Sequence, residues 1–199
     1  MSFFGVGVEQ RKKMTQAFSG DAINSTSEAA RGDRLFDALL QGEIVLETKP
    51  HSAWGGAVSA QMYLPVSRDQ VWQHLTDYPR WVQYLPDLTH SEVLHSASTG
   101  CKRLYQVACK AFLFLSVQVE IYLNVFEVVQ QQIKFKLEKG SFHDFSADLR
   151  LQDAGAGTIL TYSVQATPTI PVPSIFIEQA IRLDLPANMQ KMRQVICTG

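Results

Sequence analysis

The stretch Pro171 to Val195, PVPSIFIEQAIRLDLPANMQKMRQV, reads as one long helix behind a proline-rich lead. Ser174 is placed to cap it, since a serine hydroxyl accepts from an unpaired first-turn N–H. Ile177, Ile181, Leu185, Met189 and Met192 recur every three or four residues and share one face. Glu178, Arg182, Lys191 and Arg193 fall largely elsewhere. Most of the chain before this helix alternates as strands do, and a lone apolar helical stripe must bury itself against another layer. The expected fold is therefore α+β, with a curved antiparallel sheet gripping the C-terminal helix and either a cavity or a solid core between them. Pro186 lies inside the helix, removes a backbone donor and predicts a bend there.

The strand readings rest on period two. Glu43 to Lys49 alternates with Ile44 and Leu46 on one side, and Val58, Ala60, Met62 and Leu64 form one face of a second strand. Leu88–Ser96 and Cys101–Cys109 read as a hairpin around Ser98-Thr99-Gly100. From about Phe112 to Glu127 the odd residues Leu113, Leu115, Val117, Val119, Ile121, Leu123 and Val125 are all apolar, so one face is buried and the other wet. Ile133, Phe135 and Leu137 repeat the pattern, as do Phe145, Ala147, Leu149 and Leu151. Leu160, Tyr162, Val164 and Ala166 repeat it once more after a turn at residues 153–157. Consecutive strands with short turns imply an antiparallel meander.

Two shorter helices and an N-terminal arm complete the organisation. Residues 1–27 are rich in small polar residues without a sustained period and read as a flexible arm; residues 28–199 read as a single domain. Glu28 to Leu40 is a short amphipathic helix ended by Gly42. In PVSRDQVWQHLTDYPRWVQYLPDL, Ser67 and Gln70 have capping-box spacing and Val66 and Val71 the spacing of a hydrophobic staple. That helix should stop near Asp77, because Pro79 disfavours helical geometry at Tyr78. Trp72, Tyr78, Trp81 and Tyr84 make this the most aromatic segment; it reads as core, with a cavity mouth as the alternative.

Composition narrows the function classes. Eighteen basic against nineteen acidic residues leave a net charge of -1, which argues against nucleic acid as the main partner. The longest apolar runs are too short to span a bilayer, and the N-terminus lacks the build of a secretory signal. Three cysteines, Cys101, Cys109 and Cys197, have no metal spacing and point to a reducing, cytoplasmic setting, with Cys101 and Cys109 read as small buried residues. None of the five histidines has metal-ligand spacing, and there is no nucleophile elbow or phosphate loop. His143 would share a face with Phe145, which leaves an acid–base pair with Tyr162 as a minor reading. No catalytic residue, cofactor or metal is expected.

The order strand, capped helix with DYPRWVQYLPDL, meander, KGSFHDFSADLRL, then GTILTYSV and IPVPS…LPANM resembles the polyketide cyclase/dehydrase and coenzyme Q-binding branch of the START-like (SRPBCC) superfamily. The resemblance runs from about Ala53 to Val195. It implies the helix-grip fold of the major birch pollen allergen: about seven strands wrapped around the C-terminal helix, with two short helices between the first strands. It also implies an apolar cavity for a lipid, quinone, sterol or polyketide-like ligand.

With that cavity assumed, alternation selects Leu115, Val117, Val119, Phe135, Leu149, Tyr162, Ile181 and Leu185 as its candidate wall. The expected function is a carrier or chaperone for a hydrophobic small molecule, with peripheral membrane or membrane-protein contact as a further expected partner. The rivals are an aromatase/cyclase or dehydratase, which can act by shaping its substrate, and an interaction module with a filled core.

Overall fold

The computed structural model describes residues 31–94, 101–112 and 115–198; for 110–117 and 174 only the backbone, where given, is described. The chain divides into two units between Gln41 and Gly42, each taken by itself. In the first, residues 31–40 form a helix, α1, in which Leu39 is buried while Phe36 and Leu40 are exposed. The expected start at Glu28 and the whole arm of residues 1–27 lie outside the described residues.

The second unit holds an open, curved antiparallel sheet of eight strands, one more than expected. In chain order these are β1 Val45–Lys49, β2 Gly56–Leu64, β3 Leu88–Leu94, β4 Lys102–Phe112, β5 Leu115–Val128, β6 Gln132–Gly140, β7 Phe142–Ala154 and β8 Gly157–Pro168. Their order across the sheet is β1-β2-β8-β7-β6-β5-β4-β3. Strands β3 to β8 form the meander that alternation predicts. The final strand, β8, returns to pair with β2, so the link from β2 to β3 crosses from one side of the sheet to the other.

That crossing carries α2, Arg68–Thr76, and a 3-10 segment, Tyr78–Gln83. Ser67 caps α2 as expected, its Oγ accepting from the Gln70 N–H at 3.3 Å. Pro79 opens the 3-10 segment, where its missing N–H costs little. The segment tucks aromatic mass under the sheet. Trp81 donates from Nε1 to the Leu75 carbonyl at 3.0 Å, and its ring meets Phe135 edge-on at 5.3 Å. Tyr78 and Tyr84 are fully buried with it.

The long C-terminal helix has three parts: α3 Ser174–Gln179, a π turn Ala180–Asp184 and α4 Leu185–Thr198. Pro173, not Ser174, is the cap residue, and no side chain completes the cap. Leu185, Met189, Met192 and Ile196 are buried in the core, whereas Ile177 and Ile181 are only half-buried. The inner faces of the strands supply the opposing layer: Met62, Leu160, Leu149, Ile133, Leu123 and Leu104 are among the fully buried side chains.

At Gly56 the first half of the long helix packs closely on β2. A Cβ built there would lie 3.0 Å from Ile177 Cγ2 and 3.2 Å from Ile181 Cδ1, so only glycine leaves these isoleucines their present positions.

Candidate functional site

Two hollows in the second unit differ in chemistry. The larger, about 380 Å³, lies on the outer face of the sheet. Lys49, Lys134 and Lys136 stand at its rim, and Ser59, Ser146 and Ser163 come from outward positions of β2, β7 and β8. Its outward side chains are largely polar or charged, and it is open to solvent. The smaller, about 190 Å³, lies on the inner face between the sheet and the segment that carries Trp81 and Leu85. An apolar ligand gains more from the second, whose lining is almost entirely aromatic and aliphatic.

Aromatic rings form much of that inner cavity. Trp81 and Phe135 meet on one side, and Phe142 and Phe145 pack against each other at 5.6 Å on another. Strands β4 and β5 add Ala108, Val119, Ile121 and Leu123, and β3 adds Leu88. Two polar side chains interrupt this surface, Gln106 and Tyr162. Gln106 donates from Nε2 to Ser91 Oγ at 3.2 Å, and Ser91 donates onward to the Tyr78 carbonyl at 2.7 Å. This chain fixes the amide's orientation and leaves its carbonyl oxygen without a hydrogen-bond partner among the described residues. Tyr162 is half-buried by area, and burial pushes its phenol up to about 12.

Of the eight residues that alternation selects, Val119, Phe135 and Tyr162 line this cavity. Leu149 is fully buried in the packed core beside it. Leu185 is buried and Ile181 half-buried in the layer where helix meets sheet, and neither reaches the cavity. Leu115 and Val117 open β5, and their side chains lie outside the described residues. Phe142, Gln106 and Ala108 are not among the residues that alternation selects. Phe142 and Phe145 have opposite parity, and a register shift between Phe142 and Asp144 brings both to the cavity. The same irregularity leaves His143 exposed and out of the lining, so it forms no pair with Tyr162.

Several titratable side chains elsewhere have structural partners. Tyr78 donates to Glu127 Oε1, which also accepts from Lys102 Nζ at 2.7 Å; burial, then this carboxylate, push the phenol far up. His74 is buried beside Tyr84 and burial lowers its pKa. His51 Nε2 lies 3.0 Å from Asp144 Oδ2 and 3.2 Å from Thr167 Oγ1, with Ser52 Oγ a further 2.8 Å from Thr167. One nitrogen serves both contacts, so this cluster lacks the two-sided imidazole that a proton relay requires. It ties the β1–β2 loop to the sheet. Among the described residues no cluster of His, Cys, Asp and Glu could hold a metal. Cys109 is exposed and Cys101 half-buried, not the two buried residues their spacing suggests. Among the described residues no helix is long and apolar enough to cross a membrane.

Comparison with known proteins supports this architecture. A protein of Thermus thermophilus aligns over 70% of this chain and 96% of its own, with 16% identity and a TM-score of 0.60. A STAR-related lipid transfer protein from Xanthomonas axonopodis aligns over 76% and 98%, with 14% identity and a TM-score of 0.55. The Zhui aromatase/cyclase from Streptomyces sp. R1128 aligns over 72% and 92%, with 12% identity and a TM-score of 0.56. At these identities the likeness is one of fold. Among curated proteins none matches the sequence. The sequence profile of one family, however, matches residues 64–193, well over half of the chain. The chain belongs to the polyketide cyclase / dehydrase and lipid transport family.

Proposed function

We propose that this protein binds a hydrophobic small molecule in the inner cavity and acts as its carrier or chaperone. The observation that carries this reading is the lining: aromatic and aliphatic side chains with Gln106 and Tyr162 as the only polar ones among the described residues. Tyr162 is its one titratable group among the described residues, and burial holds it protonated far above neutral pH. A site built for acid–base chemistry brings ionisable groups together, whereas this one supplies apolar surface and two fixed polar points. Removing apolar ligand surface from water contributes roughly 25 cal/mol per Å² before ordering costs.

The volume constrains the ligand. About 190 Å³ suits a single ring or a short segment of a lipid, quinone or isoprenoid; an engineered cavity of roughly 150 Å³ holds benzene. A longer tail would lie outside the cavity. Ile170, Ile175 and Leu183 are 69%, 68% and 65% exposed around the first half of the long helix, and this apolar surface is where a donor or acceptor of the ligand would be met. A reducing, cytoplasmic setting fits the three thiols, none of which is in a disulfide.

The test is mass spectrometry of the purified protein, native and then after organic extraction, against a mock purification. A stoichiometric apolar molecule is expected. An empty protein that also refuses neutral apolar probes would sink the carrier reading.

A further inference from the structure

We propose that Tyr162 makes the cavity selective for neutral ligands that carry a hydrogen-bond acceptor oxygen, such as a ketone, quinone or ester carbonyl, over pure hydrocarbons and over carboxylates. This rests on the cavity being a ligand site, as proposed above.

Three observations carry it. First, the Tyr162 hydroxyl has no hydrogen-bond partner among the described residues, although the ring lines the cavity. The two fully buried tyrosines of the same core are both satisfied: Tyr78 donates to Glu127, and Tyr84 to the His74 carbonyl at 3.1 Å. The Tyr162 hydroxyl is not among the fully enclosed unpartnered atoms, so it keeps open space in front of it, and the cavity that its ring lines supplies that space. Second, among the described residues no Lys, Arg or His lines the cavity. A carboxylate entering it would shed its hydration with no countercharge to replace it. Third, Gln106 is anchored by Ser91 through one N–H of Nε2, which fixes the amide, whereas the phenol's single donor has no partner among the described residues and is free to turn to a ligand. The high phenol pKa keeps that donor protonated across the physiological range.

Matched one-ring probes test this: ethylbenzene, acetophenone and benzoate, titrated into the wild type and Tyr162→Phe at pH 7 with ligand-observed NMR. Tyr162→Phe keeps the ring and removes only the hydroxyl. Acetophenone is intrinsically less apolar than ethylbenzene, so the readout is the change in their Kd ratio between the two proteins. Acetophenone should weaken about five- to tenfold in Tyr162→Phe while ethylbenzene holds or tightens, a shift set by one net hydrogen bond. Benzoate should bind far more weakly than acetophenone to both. Equal effects of Tyr162→Phe on the two neutral probes, or benzoate matching acetophenone in the wild type, would overturn the selectivity while leaving the cavity reading intact. Failure of ethylbenzene and acetophenone alike would remove both.

Discussion

The Leu185 N–H donates to the carbonyl of Ala180, five residues back, immediately before Pro186. The π turn ends directly before Pro186, the one residue of this helix that cannot donate, so the widened turn and the missing donor fall together. The expected kink is thus absorbed as one widened turn. It divides a half-buried, partly apolar-exposed stretch from α4, whose apolar face, Leu185, Met189, Met192 and Ile196, is buried in the core.

Pro186→Ala should therefore cost little. Restoring the N–H offers an ordinary helical bond but removes a constraint on the unfolded chain, and the two effects oppose each other. Thermal melting should change by no more than about 1 kcal/mol in either direction. A loss of several kcal/mol would show that the proline holds the turn open.

Adjacent glycines at the entry to β2, Gly55 in the loop and Gly56 in the strand, should differ in tolerance. At Gly55 a Cβ would come within 2.6 Å of the Ala166 carbonyl oxygen, a backbone atom that cannot step aside, whereas at Gly56 it meets only side-chain ends of Ile177 and Ile181. Gly55→Ala should cost about 2–3 kcal/mol and Gly56→Ala about 1 kcal/mol in chemical unfolding. The reverse order would contradict the described packing of this loop.

Alkaline stability should report on the cavity tyrosine. Its folded pKa, about 12, exceeds the ordinary value near 10. Its contribution is therefore fully present below pH ~10 and is lost as pH rises toward ~12. Tyr162→Phe should unfold less steeply across that window, by up to about 3 kcal/mol before discounting for relaxation. Tyr78 is raised by burial and by Glu127, so some alkaline loss should persist in the variant. Identical pH profiles would mean that Tyr162 is well solvated.

Thiol labelling should follow exposure. Cys109 is exposed, Cys101 half-buried, and burial raises the Cys197 thiol. A thiol-specific reagent at pH 7.5 should modify Cys109 first and Cys197 last, as read by peptide mapping. Fast loss of Cys197 would place α4 differently.

Much of the fold is legible because period two is a direct imprint of a sheet with one wet face. Ile121, Leu123 and Val125 are inward as their parity requires, and Ser67 caps α2 where the spacing places it. The extra strand arises at β1, a segment read as a strand from Ile44 and Leu46 but outside the family resemblance. The cavity is less legible. Alternation tells which face a residue takes, not whether space remains in front of it, so Leu149 and Val119 look alike in sequence although one is packed and the other lines a void. Phe142 is hidden for a second reason: a one-residue register shift reverses parity without marking the sequence. Trp81 is visible as part of an aromatic cluster, but its role depends on Phe135, a residue of a distant strand that its ring meets edge-on.

The most direct test fills the cavity. Val119 lines it from β5, and Val119→Phe would occupy a large share of its volume. Wild type and variant would be purified in parallel, checked for folding by circular dichroism and melting, and compared by native mass spectrometry with organic extraction. The account predicts an apolar molecule bound to the wild type and a folded, empty variant. Equal loading of both proteins, or ligand in neither, would contradict it.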